Sequence, residues 1–227
     1  MLDRLLDYAR RENLVAEPGF TVKQVRWALD FAEDGRFIGV LPLGDASDKR
    51  NPGQEFPRCP DLSQPELTSG SEIRSHFLVE TCQVVGLLLK DGAPAKEVQD
   101  TTAKHGYFVR LLDEASQHEP VLSAVASALS DPERLEQIRA ALTAATPRAR
   151  PTDKVTLRIG GRFPVESDAW HGWWRVFRKT LSRSADAGGS MLCLATGELV
   201  APARTHPKIN GLADAGGLGK GSSLVGF

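Results

Sequence analysis

The chain has 227 residues, 41% of them hydrophobic and 25% charged, which is ordinary globular composition and excludes a disordered or low-complexity protein. No apolar run is long enough to cross a bilayer, and the opening MLDRLLDYARREN sets acidic residues among its leucines where a secretory signal would run uninterrupted, so a cytoplasmic protein with no membrane partner is expected. The net charge of −1 hides a division: residues 1–144 hold 16 Lys+Arg against 23 Asp+Glu and residues 145–227 hold 12 against 6, about −7 and +6; a solvated basic face accounts for the positive third at least as well as a polyanionic partner does.

Leu2, Leu5, Leu6 and Ala9 recur at helical spacing and predict a short amphipathic helix that Pro18-Gly19 stops. Val22, Val25, Trp27, Leu29 and Phe31 lead into the turn Glu33-Asp34-Gly35-Arg36 and the apolar run Phe37–Leu41, which predicts a β-hairpin. From Gly44 to Gly70 the chain is rich in Pro, Asp, Ser and Gly with little periodicity, and a long surface excursion is expected. Phe77–Gly86 is apolar again and reads as a short helix or a strand. Residues 94–145 predict two or three helices, with Pro120 and Ser130-Asp131-Pro132-Glu133 marking starts.

Pro147, Arg148, Arg150 and Pro151 form a connector to a second predicted hairpin, Val155–Ile159 turning on Gly160-Gly161 toward Phe163 and Val165. Ser167-Asp168 then caps a helix in which Trp170, Trp174, Phe177 and Leu181 share a face. A short strand over 191–194 and a glycine-rich end complete an α+β fold: β-hairpins in a small antiparallel or mixed sheet, a helical middle over about 94–145, and a Gly-rich C-terminal loop. The chain divides into segments 1–90, 91–146 and 147–227, forming one or two units.

No assembly of catalytic type stands out. His76, His105, His118, His171 and His206 are isolated in sequence, and HExxH, GxSxG and Walker patterns are absent, so no enzyme is expected. Cys59, Cys82 and Cys193 are far apart without CxxC spacing, which predicts reduced thiols, no metal and no cofactor, with Cys82 packed as a small hydrophobe. Trp170, Trp173 and Trp174 suit a base-stacking platform, but spacing puts Trp170 and Trp174 in the core and leaves only Trp173 on another face. Arg148, Arg150, Arg158 and Arg162 either track phosphates or keep a linker and hairpin soluble. In the last segment Arg204, His206, Lys208, Asn210 and Lys220 stand among glycines that let backbone amides approach phosphate; a flexible tail is the plainer reading.

The run CLATGELVAPARTHPKINGL, followed by glycines and SSLVGF, resembles the signature of the type I-C CRISPR large subunit: a Cys-Leu-x-Thr-Gly-Glu turn, Ala-Arg-x-His-Pro-Lys-Ile, then a Gly/Ser loop ending Ser-Leu-Val-x-Phe. Tyr8, Gly19-Phe20 before VKQVRWAL, and FLVETCQVVGL match in the same order, while Arg74-Ser75-His76 and Thr81 depart from the usual Lys-Pro-Asn and Asn. Members of that family are longer, so the resemblance makes this chain the N-terminal portion of such a subunit or a short variant. It implies a non-catalytic Cascade subunit that recognises the protospacer-adjacent motif and helps open duplex DNA for guide pairing. The implied partners are crRNA, target double-stranded DNA, the backbone and crRNA-handle-binding Cascade subunits, and a recruited helicase-nuclease. Under that resemblance Arg74, His76 and the 44–70 loop face DNA near the motif, and Arg204, His206, Lys208, Asn210 and Lys220 meet phosphates or crRNA. The other reading is an assembly module, docking through the tryptophan helix or the helical middle and touching no DNA.

Overall fold

Arg26 is where the first apolar stretch changes sheets. Residues on either side of it form β1 (Phe20–Val25) and β2 (Trp27–Phe31), which a single alternating strand would have fused. In the computed structural model, residues 17–44, 53–68, 71–183 and 190–193 are described, together with Arg4, Asp7, Tyr8, Arg11, Gly197, Leu199 and Val200. Of the predicted N-terminal helix only Arg4, Asp7, Tyr8 and Arg11 are described, and all four are helical; its apolar residues Leu2, Leu5, Leu6 and Ala9, and the glycine-rich end beyond Val200, lie outside the described residues.

Strand β2 pairs antiparallel with β3 (Phe37–Pro42) through the expected turn, where Arg36 N–H donates to Asp34 Oδ1 and Gly35 takes φ +81. That positive φ favours glycine, and the turn also lies close against the Ala124 backbone, leaving no room for a Cβ. On its other side β2 runs parallel to β6 (Lys154–Ile159), which in turn pairs antiparallel with β5 (Val79–Thr81), so the four-stranded mixed sheet has the order β3-β2-β6-β5. All five residues of β2 are buried, as expected for an interior strand covered on both faces. The α+β class is thus as expected, with the mixed sheet as its centre.

Two expectations fail. The excursion over 44–70 contains β4 (Gln54–Pro60), paired with β1, and the helix α1 (Gln64–Thr68). Pro57 and Pro60 disguise β4 in sequence; they are accommodated because β4 has a single neighbour and one free edge. Phe56 and Cys59 point into the core. The second predicted hairpin also does not form. After β6 the chain makes one bridge, Ile159 to Arg162, and then a 3-10 turn at Pro164–Glu166, since a strand entered through Pro164 lacks the amide the ladder needs. Strand β6 finds its partners in β2 and β5 instead.

The segment 77–86 is both strand and helix: β5 is followed at once by α2 (Cys82–Val85), whose start Thr81 caps by accepting from Val84 N–H. Among the described residues the middle of the chain holds three helices, α3 (Ala95–Ala115), α4 (Val121–Ser130) and α5 (Pro132–Ala144). Asp131 accepts from Glu133 N–H and Pro132 occupies the first turn, the start that Ser-Asp-Pro-Glu encodes. His105 on α3 lies between the carbonyls of Val84 and Leu129 at 2.9 and 3.1 Å, which ties α2, α3 and α4 together.

The last long helix, α6 (His171–Arg183), starts just after Trp170. Trp170 and Trp174 are buried as their spacing implies, donating to the carbonyls of Pro164 and Gly19, and they pack against Phe77. Trp173 is half-buried and stacks on Phe177 with ring centroids 5.3 Å apart. The tryptophans are therefore core and core margin, with their aromatic faces already occupied. The short pair β7 (Met191–Leu192) and β8 (Leu199–Val200) closes the described chain, with Gly197 at φ +71. Burial lifts the Cys59 thiol to about 11 and the Cys82 thiol to about 12, so both behave as small apolar groups.

Candidate nucleic-acid interface

Ser63-Gln64-Pro65-Glu66 builds one wall of the site. Ser63 Oγ accepts from Glu66 N–H, and Glu66 Oε2 accepts in return from Ser63 N–H at 2.7 Å. This is a capping box, legible as S-x-x-E, and it gives the helix α1 a defined start inside a stretch expected to be irregular. The Glu66 carboxylate is buried and also forms an ion pair with Arg178 of α6 at 2.8 Å. One residue thereby anchors α1 to the aromatic helix.

Arg74 and His76, two of the sequence candidates, sit on the loop that follows. Both line a cleft of about 670 Å³ between α1, β5, α2 and the first half of α3, which also receives Glu72, Glu80 and Lys104. The Arg74 side chain is 7% exposed; its guanidinium donates to the Glu66 carbonyl and lies 3.7 Å from Glu72. Glu72 is held below the usual carboxylate range, first by its hydrogen bond from Arg110. His76 accepts from Leu62 N–H at its Nδ1 (3.3 Å), and its own amide donates to Glu80 at 3.0 Å. Burial, and next the Lys23 ammonium, pushes the His76 imidazole below its ordinary value; Glu80 and Asp61 oppose them. The surroundings thus disfavour the charged ring, and its Nδ1 also lies 3.3 Å from Asp61 Oδ1. The structure brings these two candidates together, on a wall of mixed charge.

The remaining candidates, Arg204, His206, Lys208, Asn210 and Lys220, lie outside the described residues. Between β7 and β8 only Cys193 and Gly197 are described, and the Gly197 N–H donates to the Cys193 carbonyl at 2.8 Å.

Of the four arginines considered as phosphate contacts, Arg158 is engaged by Asp30 at 3.2 Å and Arg162 by Glu33 at 3.5 Å. Arg148 and Arg150 are exposed and border a separate groove with Arg26 and Lys90. Sequence spacing offered no reason to bring Arg26 and Lys90 to that connector. Before β1, Glu17 accepts from Arg58 and Arg175, which lowers its carboxyl to about 2, chiefly through the Arg175 hydrogen bond. Both guanidiniums also lie over Phe20, at 5.0 and 5.6 Å.

Among the described residues no group of three or more His, Cys, Asp or Glu is placed to hold a metal ion, and no helix is long and apolar enough to cross a membrane. A comparison with curated proteins gives no match. The family model described as CRISPR-associated protein (Cas_Csd1) matches residues 3–227, from the first helix segment through the terminal Gly/Ser signature. With a match of that extent the chain belongs to the Cas_Csd1 family, a family of CRISPR-associated, Cascade-type subunits.

Proposed function

We propose that the chain is a non-catalytic portion of the large subunit of a type I-C Cascade complex, contributing to motif recognition, target DNA binding and R-loop formation. The observation that carries this reading is the family match over residues 3–227, which spans the CLATGELVAPARTHPKINGL run and the basic third of the chain. Its partners are crRNA, target duplex, the neighbouring backbone and crRNA-handle-binding subunits, and a recruited helicase-nuclease.

In this reading Lys208 and Lys220 neutralise phosphates, with Arg204, His206 and Asn210 beside them, while Arg74 and His76 shape the surface near the motif. Phosphate contacts weaken uniformly with salt and carry no sequence information, whereas each bidentate base contact discriminates by about 1–3 kcal/mol. The test is target binding by a reconstituted complex containing the wild-type chain, the Lys208→Ala/Lys220→Ala variant, or no chain. The double variant is expected to lower affinity for every target sequence and to reduce the salt slope. Unchanged binding and slope would reject those lysines, and full motif-dependent binding without the chain would reject the function.

The assembly-module reading draws on one observation: Met191, Leu192 and Leu199 of the β7–β8 pair are 60–72% exposed. In that case Leu192→Ser weakens incorporation into the complex while the lysine variant leaves target binding intact. The tryptophan face of α6 is not such an interface, because Trp170 and Trp174 are buried within the chain.

A further inference from the structure

The connector between α5 and β6 is held as firmly as an element of the fold. Cys82 N–H donates to the Asp153 carbonyl and Gln83 N–H to the Pro151 carbonyl, both at 2.9 Å, which fixes the connector against α2. The Asp153 carboxylate accepts from Arg150 N–H at 2.9 Å and from Trp27 Nε1 at 3.2 Å, and Asp153 N–H returns a bond to the Arg150 carbonyl. Ala149 is buried, 4% exposed. Arg148 and Arg150 flank it and are both exposed, so the connector presents two guanidiniums from one fixed backbone.

These arginines border a groove of about 610 Å³ whose other wall is the segment after α2, carrying Lys90, and to which Arg26 contributes from the junction of β1 and β2. Four cations thus gather from three separated parts of the sequence. Two carboxylates belong to the same surroundings: Asp91 in the wall, and Asp153, 3.8 Å from the Arg26 guanidinium. Among the described residues, no carboxylate comes within ion-pair distance of Lys90, Arg148 or Arg150. Several arginines elsewhere are paired: Arg58, Arg110, Arg158, Arg175 and Arg178 all meet carboxylates, whereas exposed Arg36 has no ion pair among the described residues. Cations without partners on a preorganised backbone are suited to an anion with several charges, and arginine forks match phosphate oxygens two at a time. Leu89, Pro147 and Pro151 line the same groove and offer apolar surface to a sugar ring.

We propose that the groove bordered by Arg26, Lys90, Arg148 and Arg150 binds the phosphodiester backbone of a nucleic-acid strand. The inference rests on the Cascade reading above, and adds to it a contact surface apart from the candidate residues named there. Guide RNA and target DNA carry the same backbone chemistry and are separated by experiment.

The experiment is a fluorescence-anisotropy titration of the full 227-residue chain with fluorescein-labelled RNA, single-stranded DNA and duplex DNA of one sequence, between about 50 and 200 mM NaCl. The Lys90→Ala/Arg148→Ala/Arg150→Ala variant is expected to raise Kd about tenfold or more at the lowest salt, and to reduce the slope of log K against log salt by about two to three. The probe with the largest loss identifies the strand. Arg148→Lys/Arg150→Lys, which keeps the charge, should retain most of the slope. The triple variant should melt with the wild type by circular dichroism, since its side chains are exposed. An unchanged Kd and slope on all three probes, or no binding of any probe by the wild-type chain, overturns the groove proposal. If Lys208→Ala/Lys220→Ala weakens binding in the same titration while the triple variant does not, the groove falls and the functional reading stands.

Discussion

The two clefts are lined by similar residue types and put them to opposite use. Around Arg74 and His76 the cations are engaged by Glu66, Glu72 and nearby backbone, and the polar groups hold α1, β5 and α3 in register. Around Arg148 and Arg150 the polar bonds run through the backbone and Asp153, and the guanidiniums are left to solvent. The difference shows that a basic residue's partners decide whether it serves stability or an external anion. In sequence, the resemblance put Arg74 at DNA and left Arg148 and Arg150 undecided between phosphate and solubility, and neither reading contains the partners.

The sharpest way to break the comparison is Glu66→Ala. It removes the capping carboxylate and the buried partner of Arg178 together, and disrupting a buried pair costs about 3–5 kcal/mol. Urea unfolding of the full chain should show a loss of that order; a loss under about 1 kcal/mol would mean that α1 is not anchored through Glu66. Gly19→Ala strikes the same ion pair from the other side. Its Cβ would collide with the Arg178 side chain at a backbone φ of +94, and the expected loss is about 1–3 kcal/mol by the same measurement.

A pH titration sharpens the contrast further. His76 and His171 are both held below the ordinary imidazole value, primarily by burial, so the unfolded chain takes up protons that the folded chain refuses. Stability is therefore full above the unfolded value near 6.5 and declines as pH falls from there toward the lower folded values. Glu17 and Glu72, both depressed, lose their contributions only at lower pH, below the unfolded carboxylate value of 4.5. His76→Asn, which keeps an acceptor for Leu62 N–H and removes the titration, should flatten the melting temperature between about pH 6.5 and 5; an unaltered slope would exclude His76 as a source. The smallest effect belongs to the other cleft: Arg148→Ala/Arg150→Ala should stay within about 0.5 kcal/mol of wild type in urea, as exposed substitutions do.

Local chemistry made several elements legible in the sequence. Asp34-Gly35 specified the hairpin, Ser130-Asp131-Pro132-Glu133 the start of α5, and the four-residue spacing of Trp170 and Trp174 their burial. Non-local pairing was not legible. The β2–β6 partnership joins Trp27 to Val155, and nothing near Val155 specifies a parallel neighbour so distant in the chain. Strand β4 was masked by two prolines that only its free edge allows. At the candidate site the family resemblance indicated Arg74 and His76, but their intramolecular partners depend on how α1 folds back. The connector's arginines stayed open between tracking phosphates and solubilising a linker because Ala149 and Asp153, which fix the connector, are unremarkable in sequence.

The parallel β2–β6 ladder has a consequence for synthesis. Because the strand that fills the gap between β2 and β5 follows both of them in the chain, the emerging polypeptide holds an incomplete sheet until Ile159 has left the ribosome. Until then the inner edge of β2 is an unpaired template exposed to other nascent chains, and late ladders of this kind close slowly. Chaperone occupancy during translation should accordingly fall only after Ile159 has emerged from the exit tunnel.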